Sequence, residues 1–145
     1  MFIEWKKVYN LDHELIDYQH KKLVELINEL HEAHQNGMVV PILEDILDRL
    51  VDYTAYHFST EERLFQDLQY PEAKEHISEH EEFVAEIFYL KYQAKDGNLL
   101  ITLKILDYLK DWTITHILGT DQEFGQLFKR NSSAEKVSHE AENSN

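Results

Sequence analysis

The sequence predicts an all-α protein: an antiparallel up-down-up-down four-helix bundle with an N-terminal arm and a disordered C-terminal tail. Apolar residues recur at steps of three and four through four segments, and no stretch alternates with period two as a strand would. The chain has only four glycines and two prolines in 145 residues, so its helices can be long. Short connections between long helices place neighbouring helices antiparallel.

Three breaks divide the chain into these segments. The first, Asn36-Gly37, lies just before Pro41, which suits the first turn of a helix. The second is Tyr70-Pro71, because the residue before a proline avoids the α region. The third is the turn sequence at residues 96–98. Each segment carries a stripe of predicted core-facing residues. The four stripes are Leu15, Ile16, Leu23, Leu26, Ile27 and Leu30; Ile42, Leu43, Ile46, Leu47, Leu50, Val51, Tyr53 and Thr54; Ile77, Phe83, Val84, Ile87, Phe88, Leu90 and Lys91; and Leu99, Leu103, Ile105, Leu106, Leu109, Trp112 and Ile117.

The two ends of the chain differ from these segments. Residues 1–11, with Trp5 and Tyr9, are predicted to form an extended arm that closes over the bundle. Residues 131–145 have no apolar periodicity, which is typical of a disordered tail. We therefore predict one bundle domain over residues 1–130, followed by the tail.

The composition excludes several classes of function. The 14 Lys+Arg and 28 Asp+Glu give a formal net charge of −14, which disfavours nucleic acid and anionic membrane surfaces as partners and favours a monomer. The absence of cysteine excludes disulfide scaffolds, thiol catalysis, iron–sulfur clusters and cysteine zinc sites. No apolar run is long enough for a transmembrane helix and no secretory signal is visible, so the cytoplasm is the expected compartment.

The informative part of the composition is its nine histidines. His13 lies at the start of the first predicted helix, His31 and His34 lie near its end, and His139 lies in the tail, where capping or solvated roles are typical. The other five histidines and two carboxylates are distributed over all four helical segments. These seven candidate metal-binding residues are His20, His57, Glu61, His76, His80, His116 and Asp121.

The positions of these residues predict a metal site. His57 and Glu61 are spaced i,i+4, as are His76 and His80, which puts each pair on one face of a helix. Residues in the middle of four antiparallel helices can meet at one depth in the core. Imidazoles and carboxylates buried together are costly unless a cation satisfies them. Seven nitrogen and oxygen donors exceed what one tetrahedral zinc takes, and they suit iron or manganese.

The number of donors fits two ions and one small ligand. Two octahedral ions have twelve positions, of which five imidazoles, two bridging carboxylates and one bridging oxygen fill eleven. The last two donors, His116 and Asp121, are spaced i,i+5 and would lie about 140° apart on a regular helix. Because Gly119 lies between them, we predict an irregularity or helix break near residues 118–121.

The motifs around these donors resemble those of hemerythrins, specifically single-domain bacteriohemerythrins. The resemblance covers about residues 5–129 and includes all seven donors in the family's order. The matching positions are Trp5; Asp17, Gln19 and His20 in a D-x-Q-H stretch; His57-Phe58 with Glu61-Glu62; Tyr70-Pro71 before His76, His80 and Phe83; and Trp112 before His116-Ile117-Leu118-Gly119-Thr120-Asp121.

The resemblance implies a cofactor and an activity. It implies two non-haem iron ions with a bridging oxo or hydroxo group, and reversible O2 binding for storage, delivery or sensing. O2 would be held as hydroperoxide on the iron that has two histidine ligands. No substrate would be turned over, so the protein would not be an enzyme, although an oxygen-consuming enzyme is a possible partner. The donors would divide as His76, His80 and His116 on one iron, His20 and His57 on the other, and Glu61 and Asp121 as bridges.

Two other functions remain open from the residues. A di-iron redox enzyme, such as an oxidase, a peroxidase or a nitric oxide-handling protein, would use the same metal, although such enzymes typically have more carboxylate ligands. A structural bundle or a metal reservoir would hold zinc instead.

One position departs from the family pattern. Thr113 follows Trp112 where the family usually has leucine, close to the oxygen pocket. Because its hydroxyl can admit water or form a hydrogen bond with the ligand, we expect faster autoxidation than in a leucine variant.

Overall fold

The computed structural model describes residues 1–38, 40–94 and 99–128. These ranges contain no β-strand and four long helices, of which consecutive ones pack together and the last packs on the first. The chain therefore closes into a four-helix bundle, and its short connections make neighbours antiparallel, as predicted. The helices are α1 (Glu14–Gln35), α2 (Val40–Leu68), α3 (Ala73–Ala94) and α4 (Leu99–His116).

Several predictions fall outside the described ranges. They concern the turn at residues 96–98 and the tail at residues 131–145, which includes His139. Among the helices that are described, none combines the length and apolarity that a membrane crossing requires.

The first two predicted breaks separate helices: Asn36-Gly37 lies between α1 and α2, and Tyr70-Pro71 lies between α2 and α3. The C-terminal end of α1 is closed by Gly37, whose φ of 67° lies in the left-handed region that favours glycine. There the N–H of Met38 donates to the carbonyl of Ala33 at 3.0 Å. At the N-terminal end of α1, Nδ1 of His13 accepts a hydrogen bond from the N–H of Ile16, so His13 is the capping residue.

The N-terminal arm is held on the bundle by hydrogen bonds as well as by apolar contact. The side chain of Asn28 on α1 makes two hydrogen bonds of 2.8 Å with the N–H and C=O of Ile3. The N–H of Leu11 donates to Asp17 at 2.7 Å, and both Ile3 and Leu11 are buried. The arm is not extended throughout, because Lys7–Tyr9 form a 3-10 turn.

Most of the predicted apolar stripes form the core, but four of the stripe residues whose side chains are described lie on the surface. Adjacent residues point about 100° apart on a helix, so at the edge of a stripe one of two neighbours faces the core and the other faces solvent. Thus Ile16, Leu43 and Ile87 are buried. The residues beside them in the stripes, Leu15, Ile42 and Phe88, are exposed. The four wrongly predicted residues are Leu15, Ile42, Phe88 and Leu103, which are 46%, 45%, 55% and 42% exposed.

The predicted irregularity after α4 is present. Ile117–Asp121 form a π-helical turn directly after His116, and residues 122–128 are helical again. Hydrogen bonds in a π-helix join residues five apart, so residues spaced i,i+5 come to the same face. His116 and Asp121 are consequently both buried on the same side of the chain.

Glycine is not what produces this turn, and a pair of substitutions tests that conclusion. A Cβ at Gly119 would meet nothing within 4 Å, whereas a Cβ at Gly125 would lie 3.1 Å from Cγ of Leu11. We expect Gly119→Ala to raise the free energy of unfolding by about 0.5–1 kcal/mol, because alanine loses less backbone entropy. We expect Gly125→Ala to lower it by about 1–3 kcal/mol through overpacking. Urea unfolding measures both values, and the reverse order would contradict the account.

Candidate metal centre

The seven predicted donor side chains meet in the middle of the bundle. Each of them is at most 4% exposed, so the group is fully removed from solvent. All four helices contribute, and the π turn contributes the last residue. The donors are His20 on α1, His57 and Glu61 on α2, His76 and His80 on α3, His116 at the end of α4, and Asp121 in the π turn.

All five imidazoles present the same nitrogen atom, Nε2, to the centre. Nε2 of His116 lies 3.0 Å from Nε2 of His76 and 3.3 Å from Nε2 of His80. His20 and His57 form a separate pair whose ring centroids are 4.6 Å apart. The imidazoles therefore divide into a group of three and a group of two.

Each carboxylate faces both groups of histidines, with a different oxygen atom toward each. Oε1 of Glu61 lies 3.2 Å from Nε2 of His20 and 2.8 Å from Nε2 of His57. Oε2 of the same residue lies 3.3 Å from Nε2 of His76 and 3.1 Å from Nε2 of His80.

Asp121 repeats this arrangement from the other side of the centre. Its Oδ2 lies 3.1 Å from Nε2 of His20, and its Oδ1 lies 2.9 Å from Nε2 of His76 and 3.0 Å from Nε2 of His116. Two carboxylates that each span the same two nitrogen groups have the arrangement of bridging ligands.

The donor atoms fit two adjacent cations. They form two sets, each with all atoms within 4.8 Å of one another, and Glu61 belongs to both. Donor separations near 3 Å match two ligands bound at right angles about 2.1 Å from one ion. The first set is Glu61, His76, His80 and His116, and the second is His20, His57, Glu61 and Asp121.

The electrostatics of the site also require positive charge at its centre. Burial would raise the pKa of Glu61, but His57 and the hydrogen bonds from other imidazoles hold it well below its ordinary value. Burial would lower the pKa of His20, yet Asp121 and Glu61 raise it to about 9. In the same way Asp121 and Glu79 outweigh burial and raise the pKa of His116 to about 10. Without metal ions, protons on imidazoles would balance the carboxylates, and metal binding would displace them.

Two further residues orient the imidazoles from outside. Nδ1 of His57 donates to Oε1 of Gln19 at 2.7 Å, and Nδ1 of His116 donates to Oε2 of Glu79 at 2.9 Å. In the neutral imidazole these bonds keep the proton on Nδ1, so that Nε2 can bind a metal ion at the centre. Glu79 also accepts a hydrogen bond of 2.6 Å from Thr120 and so connects α3 to the π turn.

Sequence reasoning did not identify the roles of Gln19 and Glu79. Each residue directly precedes a candidate donor in the chain, His20 and His80, but orients a histidine of a different helix. No spacing within one helix indicates such a contact.

A small apolar cavity adjoins the histidine pair. Its volume is about 20 Å³, which is room for one molecule the size of water or O2. His20, His57, His116 and Asp121 contribute to its wall, whereas His76 and His80 do not. The cavity therefore gives access mainly to the group of two histidines.

Comparison with known proteins identifies the family. Residues 11–128 match the family model described as the hemerythrin HHE cation binding domain. The chain belongs to the hemerythrin family. It is 32% identical over 127 residues to the bacteriohemerythrin of Stenotrophomonas maltophilia, which covers 86% of this chain and 80% of that protein. It is 31% identical over 140 residues to the bacteriohemerythrin of Pseudomonas aeruginosa, covering 95% and 88%.

The fold agrees with this assignment. A crystal structure described as wild-type hemerythrin superposes with a TM-score of 0.77 at 26% identity, covering 87% of this chain and 97% of that one. Family membership together with the histidine and carboxylate cluster supports a di-iron oxygen-binding protein. The structure brings all seven sequence-predicted donors together, while their individual roles as iron ligands stay a prediction.

Removing the carboxylate behind His116 tests how far it positions this imidazole. We expect Glu79→Ala to weaken metal binding by about 10–100-fold, because His116 would lose the acceptor that fixes its orientation. Competition with a chromophoric chelator for ferrous iron measures the change. The control is Glu75→Ala, an exposed residue of the same helix that removes the same charge without touching a donor. Equal affinities of the two variants would contradict the positioning role.

Proposed function

We propose that this protein binds O2 reversibly at a centre of two non-haem iron ions. The observation that carries the proposal is the placement of Glu61 and Asp121, each with one oxygen toward the histidine pair and the other toward the three histidines. Such carboxylates would hold two irons side by side. When bound, the two ferrous ions would supply two electrons and the bridging hydroxide one proton to hold O2 as hydroperoxide, and both would be returned on release.

The donors would divide between the irons as the resemblance implies. The three-histidine iron would take His76, His80 and His116, and the two-histidine iron would take His20 and His57. The cavity supports O2 binding at the second iron, because its wall includes both of these histidines and neither His76 nor His80.

The surroundings of the cavity favour a carrier over an enzyme. The rest of its wall is aliphatic or aromatic apart from two threonines, so water is poorly accommodated there. Among the described residues, no titratable side chain other than the proposed ligands lines the cavity. A general acid or base for substrate chemistry is therefore lacking at this site, which supports binding without turnover.

The biological setting follows from the sequence and stays a prediction. We expect a cytoplasmic monomer that stores O2, senses it or delivers it to an oxygen-consuming enzyme.

Iron content measured together with an optical spectrum tests the proposed function. We expect two irons per chain and a peroxo-to-iron(III) charge-transfer band that forms in air and disappears under argon over repeated cycles. A protein that holds only zinc would indicate the structural or reservoir function. Irreversible consumption of O2 would indicate a redox enzyme. Either result would contradict reversible O2 binding.

The two threonines of the cavity allow a test of how the oxygenated form decays. Thr113 is buried, and its hydroxyl has no hydrogen-bond partner among the described residues. We expect Thr113→Leu to slow autoxidation by up to about 10-fold, the equivalent of one hydrogen bond, because the free hydroxyl no longer admits water or a proton. Decay of the charge-transfer band in air measures the rate.

The matched control for this substitution is Thr54→Val. Thr54 lines the same cavity, but its hydroxyl already donates to the carbonyl of Leu50 at 2.8 Å. We expect this variant to autoxidise at the wild-type rate. Equal rates for Thr113→Leu and wild type would refute the role of the Thr113 hydroxyl.

A further inference from the structure

A chain of three hydrogen bonds runs from the surface of α2 to a proposed iron ligand. The hydroxyl of Thr60 donates to the carbonyl oxygen of Tyr56 at 3.1 Å. The side-chain amide of Gln19 donates from Nε2 to the Thr60 hydroxyl oxygen at 3.2 Å. Oε1 of the same amide accepts from Nδ1 of His57 at 2.7 Å. One buried amide of α1 therefore joins a surface hydroxyl of α2 to an imidazole of the histidine pair.

The direction of every hydrogen bond in this chain follows from the carbonyl of Tyr56. A carbonyl oxygen only accepts, whereas a hydroxyl has a single proton to donate and lone pairs that accept. Because the proton of Thr60 goes to Tyr56, the hydroxyl is left to accept from Gln19. An amide that presents its NH2 group to Thr60 presents its oxygen to His57. That oxygen keeps the proton of the neutral imidazole on Nδ1 and leaves Nε2 for a metal ion.

The opposite orientation of the amide would work against metal binding. The NH2 group of Gln19 would then donate to Nδ1 of His57, and the neutral imidazole would carry its proton on Nε2, where it blocks a metal ion. The oxygen and nitrogen ends of an amide have nearly the same shape, so packing alone does not select one orientation. Among the described residues, Thr60 is the one group besides His57 that forms a hydrogen bond with this amide. The orientation of the amide therefore depends on Thr60.

We propose that Thr60 is a positioning residue for the iron that His20 and His57 would bind, and that it acts through Gln19. Its hydroxyl selects the amide orientation that keeps Nε2 of His57 available, and so it raises the affinity of that position for iron. This inference rests on the proposed iron centre and deepens it. It assigns a role to a residue whose side chain forms no hydrogen bond with a proposed ligand among the described residues.

Separate hydrogen bonds orient the imidazoles of the two histidine groups. Within the pair, His57 is held at Nδ1, whereas Nδ1 of His20 is buried and has no hydrogen-bond partner among the described residues. Within the group of three, Nδ1 of His116 donates to Glu79, which takes no part in the chain through Gln19. Loss of the Thr60 hydroxyl should therefore weaken the binding of one iron and leave the other unchanged.

The position of Thr60 allows its hydroxyl to be removed without disturbing the core. Its side chain is partly exposed and lines a surface pocket together with Ser59 and Arg63. Valine has the branched shape of threonine without the hydroxyl, and serine has the hydroxyl without the methyl group. Thr60→Val and Thr60→Ser therefore separate the effect of the hydroxyl from the effect of side-chain shape.

Competition with a chromophoric chelator for ferrous iron, measured in the absence of O2, tests the proposal. We expect Thr60→Val to weaken the binding of one of the two irons by about 3–10-fold, the equivalent of one neutral hydrogen bond. We expect Thr60→Ser to bind both irons as the wild type does, because it keeps the hydroxyl. Anomalous diffraction from crystals of Thr60→Val that are partly depleted of iron should show the loss at the position beside His20 and His57.

Two further variants separate positioning from a general effect on the fold. Ser59→Ala removes an exposed hydroxyl that lines the same surface pocket but does not bond to Gln19, so we expect it to bind iron as the wild type does. Gln19→Leu has no amide for Thr60 to orient. We therefore expect Thr60→Val to cause no additional loss of iron affinity when it is combined with Gln19→Leu, as a double-mutant cycle would show.

The iron content of the wild type, measured first, separates failure of this inference from failure of the proposed function. A wild type that binds fewer than two irons would overturn both. If it binds two, equal affinities of Thr60→Val and the wild type would overturn the role of Thr60 alone. The same weakening in Thr60→Ser, an equal loss from the three-histidine position, or a further loss in the double variant would overturn it as well. If Gln19→Leu does not fold, the comparison of Thr60→Val with Thr60→Ser decides the question.

Discussion

Glu61 and Asp121 are completely buried in the middle of a four-helix bundle, and the other groups of the centre are arranged around these two charges. Two carboxylates removed from water cost several kcal/mol each unless positive charge and hydrogen bonds compensate them. Five imidazoles surround them, and all direct Nε2 inward to atoms that two cations would share. The π turn contributes to this arrangement, because it brings Asp121 to the face of the chain that His116 occupies.

The groups around this charged centre orient its imidazoles and limit which molecules can reach it. Gln19 and Glu79 fix the orientation of one imidazole in each histidine group from outside. Apolar walls enclose a cavity that adjoins the histidine pair and excludes additional titratable groups. A neutral small molecule can enter this cavity without adding a net charge, which suits O2 as the ligand.

The sequence was sufficient to predict the fold class and the convergence of the seven donors. Spacing within a helix determines which residues share a face, so the His57–Glu61 and His76–His80 pairs could be recognised directly. By the same rule of helical spacing, His116 and Asp121 could not share a face of a regular helix, which predicted an irregularity. The π turn is that irregularity. The capping role of His13 followed from its place at a helix start.

Features that depend on contacts between helices could not be predicted in this way. The rotation of each helix about its axis decides that Ile16 and Ile87 face the core while Leu15 and Phe88 face solvent. The apolar periodicity alone does not determine which of two adjacent apolar residues faces the core. The hydrogen bond from His57 to Gln19 joins α1 and α2, so no local spacing indicates it. The size of the cavity and its position beside the histidine pair likewise result from packing among all four helices.

Anomalous X-ray diffraction at the iron absorption edge would test whether Glu61 and Asp121 bridge two irons. We expect two anomalous peaks, one bound by His20 and His57 and the other by His76, His80 and His116. Each carboxylate should contribute one oxygen to each peak. A single peak, an anomalous signal at the zinc edge instead, or a carboxylate with both oxygens on one ion would contradict the account.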